Sequence, residues 1–114
     1  ERGFVTYSDY AKQTLLGVPT SLFDTVGAVS KEVALAMAEG AMARSEAQLA
    51  VSVTGIAGPG GGTETKPVGL VHMAIAREGR GIADFRDVFP GDRSDVRAAT
   101  VVAALQRLRA AAVG

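Results

Sequence analysis

Cysteine is absent from the 114 residues, and a single histidine, His72, stands in the whole chain. Without cysteine there is no disulfide, no zinc–thiolate site and no Cys nucleophile. One imidazole leaves no material for a His-rich metal site and none to spare for a Ser–His–Asp triad. Charge of one sign is also missing. Twelve Lys and Arg balance twelve Asp and Glu, so no polycationic surface announces nucleic acid or anionic lipid. No apolar run reaches the ~20 residues of a membrane-spanning helix, and no signal peptide opens the chain. A soluble, cytoplasmic protein that binds neither nucleic acid nor membrane is expected.

Hydrophobic residues make up 47% of the chain, enough to bury the core of one compact domain over residues 1–114. The most informative stretch is 51–69, VSVTGIAGPGGGTETKPVG. An apolar, β-branched run ends in a loop rich in glycine and threonine, and apolar sequence resumes at Val68. Glycine lets backbone amides approach a ligand closely, and consecutive amides in such a turn form a concave nest for anions. The plain alternative is a flexible hairpin connection. Long ordered loops between core strands tend to be functional, and a ligand-binding loop is the favoured reading.

Around this loop the sequence predicts alternating helices and strands. Residues 4–7 read as a short strand, and Ser8 or Asp9 caps a helix through Ala11, Leu15 and Leu16 that stops at Gly17. Pro19 suits the first turn of a short helix over 20–25, closed by Gly27. Ser30 is the N-cap of the next helix, where Val33, Met37 and Ala41 recur at four-residue steps. Residues 49–54 and 69–76 are near-continuous apolar runs, the pattern of strands covered on both faces. Residues 84–89 alternate and read as a strand nearer an edge, joined to the previous one by a turn at 79–81. Pro90 and Gly91 break the chain, and Asp92 or Ser94 caps a last helix traced by Val96, Ala99, Thr100, Ala103, Ala104 and Arg107. This order predicts an α/β domain of two or three layers.

Several residues could carry chemistry. Tyr7 ends a strand and Lys12 lies one turn into the following helix, a junction where α/β proteins place ligand sites. A lysine beside a phenol lowers its pKa or acts as a base when desolvated, although a strand-end tyrosine and a solvated lysine are also ordinary features. No GK[ST] closes the glycine loop, so it is not a Walker A motif. Lys66 could point its charge into the nest. Arg93 and Arg97 open the last helix, where a guanidinium opposes the macrodipole unless an anion or carboxylate meets it. That suits phosphate recognition; the alternative is a salt bridge to Asp92. His72, inside an apolar strand, reads as a satisfied core or interface histidine, and Ser30 as a cap.

The segments TYSDYAKQTLLGV, GAVSKEVALAMAEGA, VTGIAGPGGGTETKPVGLVHMAIA and FPGDRSDVR occur in this order. Together they resemble the C-terminal domain of the CinA competence/damage-inducible proteins, over residues 1–108. The resemblance implies a mixed sheet flanked by helices and an amidohydrolase acting on nicotinamide mononucleotide. The products are nicotinic acid mononucleotide and ammonia, a step in pyridine nucleotide recycling. It implies a Ser nucleophile assisted by a Tyr and a Lys, which fall on Tyr7 and Lys12. Thr54, Gly55, Ala57, Gly58, Gly61, Gly62 and Lys66 then surround the substrate, and Arg93 or Arg97 holds its phosphate. No metal or cofactor is required, and a homo-oligomer is expected.

The chain departs from the family pattern in three ways. The family's serine lies in an ESCTGG-like segment, and roughly 45–50 residues with the first helix and strand are expected upstream of Glu1. The domain is thus expected to be incomplete at its N-terminus. Gly60 stands where the family usually carries Asp, which removes a carboxylate from the loop. His72 replaces a frequent aromatic residue. Two other readings compete with the enzyme: a non-catalytic nucleotide-binding or regulatory module linked to competence and DNA damage, and an assembly domain built by the Ala-rich helices.

Overall fold

The computed structural model describes residues 15–113. The strand expected over 4–7 and the start of the next helix, with Tyr7 and Lys12, lie outside the described residues. Leu15 and Leu16 are helical, and Gly17 follows at φ 68°, the left-handed conformation of a residue just past a helix end. Helix α1 (Thr20–Thr25) comes next. Pro19 takes the cap position before it at φ −60°, one residue earlier than expected, and the Gly27 amide closes its far end on the Leu22 carbonyl. Helix α2 (Lys31–Ala43) starts where the sequence signals it. The Ser30 hydroxyl accepts from the Val33 amide at 3.2 Å, a cap that contributes about 1 kcal/mol.

Strands β1 (Leu49–Gly55), β2 (Leu70–Arg77) and β3 (Ile82–Val88) form one sheet in the order β1-β2-β3. Its pairings are antiparallel among the described residues; the segment expected to add a further strand lies outside them. Helix α3 (Arg93–Val113) follows β3. Successive strand residues face opposite sides of a sheet. Ala74 and Ala76 of β2 pack with Ala34 and Ala38 of α2. Val71 and Met73 pack instead on Val96, with Ala103 and Ala104 of α3 alongside. The sheet is therefore the middle of three layers, and β2 is covered on both faces, which is why 69–76 is an unbroken apolar run.

β1 departs from its expected pattern. Its buried residues are Ser52 and Thr54, and Val53 is 37% exposed. The Ser52 hydroxyl donates to the Ala34 carbonyl at 2.5 Å and the Thr54 hydroxyl to the Ala28 carbonyl at 2.9 Å. Burial of these hydroxyls is tolerated because each finds a backbone acceptor. Gly40 sits inside α2 for a steric reason. A Cβ there would overlap the Leu16 carbonyl oxygen, so the helix can approach the preceding chain only without a side chain. On the α3 side of the sheet, Arg107 of α3 lies 4.3 Å over the Phe85 ring and grips Asp87 of β3 at 2.6 and 3.1 Å. No helix among the described residues is long and apolar enough to cross a membrane.

Candidate functional site

The connection between β1 and β2 carries the glycine-rich segment, and backbone bonds lace its base. The Ile56 amide donates to Leu70 at 2.9 Å and the Gly69 amide donates back to Ile56 at 2.7 Å. Further out, the Thr63 amide donates to the Lys66 carbonyl at 2.8 Å and the Lys66 amide to the Thr63 hydroxyl at 3.0 Å. Gly58 stands at φ 87°, and a Cβ there would come within 2.5 Å of the Val68 side chain. Backbone conformation and space both demand glycine at that position. Gly61 and Gly62 lie on the exposed outer part of the loop.

The last helix begins opposite this loop. The Asp95 amide donates to the Asp92 carboxylate at 3.0 Å, and the Asp92 amide donates to the Asp95 carboxylate at 2.9 Å. This is a reciprocal capping box with aspartate in place of the usual glutamate. The cap occupies Asp92, and Arg93 turns to the loop instead, where Nη1 donates to the Gly58 carbonyl at 3.1 Å. Val96, 2% exposed, packs on Val71 and Met73 with Ala57 beside it, so the first turn of α3 is clamped onto the loop.

Between loop and helix lies a cleft of about 530 Å³ lined by Ala57, Pro59, Val68, Asp92, Arg93 and Ser94. A second cavity of about 260 Å³ shares Ala57 and runs along α3, with Val53, Gly55, Val71 and Val96 as its apolar lining and Arg97 and Thr100 as its polar one. The combination offers guanidinium groups and a helix N-terminus beside an apolar slot. Chemically it suits an anionic group attached to a flat or apolar body.

The structure brings together Gly55, Ala57, Gly58, Arg93 and Arg97 of the residues expected to bind substrate. It separates Thr54 and Lys66 from them. The Thr54 hydroxyl is turned to the α2 side, on Ala28. Lys66 does not aim its charge into the glycine nest; its Nζ donates to the Val26 carbonyl. Gly27 adjoins this reach, and a Cβ there would lie 3.0 Å from Nζ. His72 is half-buried on the same side. Burial holds its pKa below the ordinary 6.5, helped by Arg86 and Lys66 and opposed by Glu32 and Asp84. Among the described residues no group of three or more His, Asp and Glu side chains could hold a metal ion. Sequence reasoning missed Asp95 and Arg86. The three-residue spacing of Asp92 and Asp95 was a usable signal for the first, whereas the place of Arg86 opposite His72 depends on strand register.

The sequence profile of the CinA C-terminal domain matches residues 1–112, and the chain belongs to that family. A protein of Pseudomonas putida named nicotinamide-nucleotide amidohydrolase PncC is 52% identical over 108 residues, covering 95% of this chain and 67% of the relative. A CinA-like protein of Geobacter sulfurreducens is 51% identical over 108 residues, or 94% of this chain. The chain spans only about a quarter (26%) of that relative's length. Among solved structures, the competence/damage inducible protein CihA of Agrobacterium tumefaciens superposes with a TM-score of 0.93 at 50% identity, over 96% of this chain and 67% of that one. The CinA superfamily protein of Escherichia coli gives 0.86 at 36% identity, over 91% and 60%.

Proposed function

We propose that this member of the CinA C-terminal domain family is the nucleotide-binding part of an amidohydrolase. The reaction is hydrolysis of nicotinamide mononucleotide to nicotinic acid mononucleotide and ammonia. The observation that carries the reading is the cleft in which Arg93 bridges to Gly58 while Arg97 lines the apolar slot next to it. Guanidinium groups at a helix N-terminus match the phosphate of a mononucleotide, and the slot offers an apolar surface to its flat base. The name of the Pseudomonas putida relative points the same way.

In this mechanism a serine upstream of Glu1 attacks the carboxamide carbon. An unactivated hydroxyl is a poor nucleophile, and Lys12 or Tyr7 takes its proton. The C–N bond breaks, ammonia leaves with the returned proton, and water releases the acid from the enzyme. Backbone amides of the glycine loop are candidates for holding the intervening oxyanion. The second reading is a module that binds nucleotide without turning it over, since the cleft lining of Arg93, Arg97 and the glycine loop is made of groups that bind.

Ammonia release from nicotinamide mononucleotide separates the two. It is measured on the 114-residue chain and on a form extended upstream to the length of the Pseudomonas putida relative. The expected outcome is activity in the longer form and its loss in the Lys12→Ala variant with the fold intact. Binding without ammonia release in a folded longer form would make the chain a binding module. Near-normal turnover in the variant would remove Lys12 from the mechanism.

A further inference from the structure

On the α2 side of the sheet, Lys31, Lys66, His72 and Arg86 line one cavity of about 310 Å³ together with Glu32. They arrive from four different places. Lys31 opens α2, Lys66 comes from the β1–β2 loop, His72 from the central strand, and Arg86 from β3, directly opposite His72 in register. Two lysines, an arginine and an imidazole therefore share the lining with a single carboxylate. The amide end of α2 opens onto the same space, since Ser30 and Lys31 line it, and that end carries partial positive charge. Ser30 itself has no hydroxyl proton to spare. It donates to the Gly27 carbonyl at 2.8 Å and accepts from Val33 at 3.2 Å.

Cations gathered this way repel one another unless an anion joins them. The state of His72 reports that field. Its proton affinity is reduced by burial and by Arg86 and Lys66, and Glu32 and Asp84 only partly offset this. A guanidinium on one wall and ammonium groups on others fit the oxygens of a phosphate, which accepts from several directions at once. The volume is at the lower end of small-ligand sites, ~300 Å³, which suits a compact ligand. We propose that this cavity is a second anion site, taking the phosphate group of a small phosphate monoester or free phosphate. It lies on the opposite face of the sheet from the Arg93–Arg97 cleft. The inference does not rest on the amidohydrolase reading, because it uses neither arginine.

His72 is the single histidine of the chain, so its ring protons are an unambiguous probe. The whole chain is titrated by NMR in inorganic phosphate and in chloride at equal ionic strength, and again with glycerol 3-phosphate. Phosphate binding beside the imidazole favours its protonated form. The expected result is therefore an upward shift of the His72 titration in phosphate relative to chloride. A further rise with glycerol 3-phosphate would identify the monoester as the preferred source; a smaller rise would identify free phosphate, and an equal one would show that the phosphate group alone is recognised. Arg86→Ala raises the chloride value by itself, so the readout is the phosphate-minus-chloride difference. That difference should vanish in Arg86→Ala and shrink in Lys31→Ala. It should persist in Arg93→Ala. Arg86 and Lys31 are exposed, and their removal leaves the core untouched. No difference in the unsubstituted chain overturns the proposal. So does a difference that survives Arg86→Ala or disappears in Arg93→Ala, since the ion then sits elsewhere.

Discussion

Arg93, the first residue of α3, donates from Nη1 to the carbonyl of Gly58 at 3.1 Å across the cleft. The bond ties the glycine loop to the helix N-terminus and uses one of the five guanidinium N–H donors of a residue that lines the cleft. Gly58 is where a side chain would strike Val68, so the contact depends on a loop shape that glycine alone permits. Arg97 follows one helical turn later and lines the neighbouring slot.

This geometry separates the two arginines by experiment. Arg97→Ala should weaken nicotinamide mononucleotide about tenfold, the effect of losing one charge-assisted contact, and leave nicotinamide riboside within about twofold. Calorimetry with both ligands checks it. Equal loss for both would mean that Arg97 does not hold phosphate, and Arg93 becomes the candidate. Arg93→Ala should weaken both ligands, because it also frees the loop.

Gly40 should resist any side chain. Gly40→Ala places a Cβ on the Leu16 carbonyl oxygen, and overpacking of this kind costs about 1–3 kcal/mol. Urea denaturation should show a lower midpoint with an unchanged slope. Gly60→Asp is the contrasting case. A Cβ at Gly60 meets nothing within 4 Å, so its stability should stay within about 0.5 kcal/mol. Tighter substrate binding by that variant would show that the carboxylate usual in the family acts in the loop.

Arg107 joins α3 to β3 through Asp87 and the Phe85 ring. Both partners are about a quarter exposed, so water screens the pair. Arg107→Ala should destabilise by about 1 kcal/mol, the sum of a modest ion pair and a cation–π contact. Arg107→Lys should recover only part of it, because an ammonium cannot make the two parallel bonds. A double-mutant cycle with Asp87→Asn would isolate the pair, and additive losses would mean no coupling.

His72 gives stability a pH dependence of fixed sign. Its pKa in the folded protein is below the ordinary 6.5, first through burial and then through Arg86 and Lys66. The unfolded chain therefore takes up the proton first as pH falls. The stabilising contribution is complete above about 6.5, is lost as pH falls below that, and levels off beneath the folded value. Thermal melts of the unsubstituted chain and of His72→Gln should show a difference that changes across this window, to the disadvantage of the unsubstituted chain at acid pH. A pH-independent difference would mean that the imidazole is not held neutral.

The chain's own order of residues determined where its elements begin and end. Ser30 and Asp92 carry side-chain oxygens that accept the first free amides of a helix, and Gly17 and Gly27 adopt the left-handed turn that ends one. These are interactions between neighbours, so they are legible without a fold. The apolar run at 69–76 likewise revealed a strand buried on both faces. Its counterpart at 49–54 was misleading, because composition does not say which face another layer will cover, and Val53 is left 37% exposed. Only the tertiary structure decided which charges meet. Lys66 lies in the glycine loop and Arg93 two strands further on, yet it is Lys66 that reaches away to Val26 on the α2 side and Arg93 that binds the loop at Gly58 on the α3 side. Arg86 stands beside His72 through a register of hydrogen bonds between two strands. Such meetings depend on the sheet's alternation and on the helices that cover each face, and those are settled when the whole core packs together.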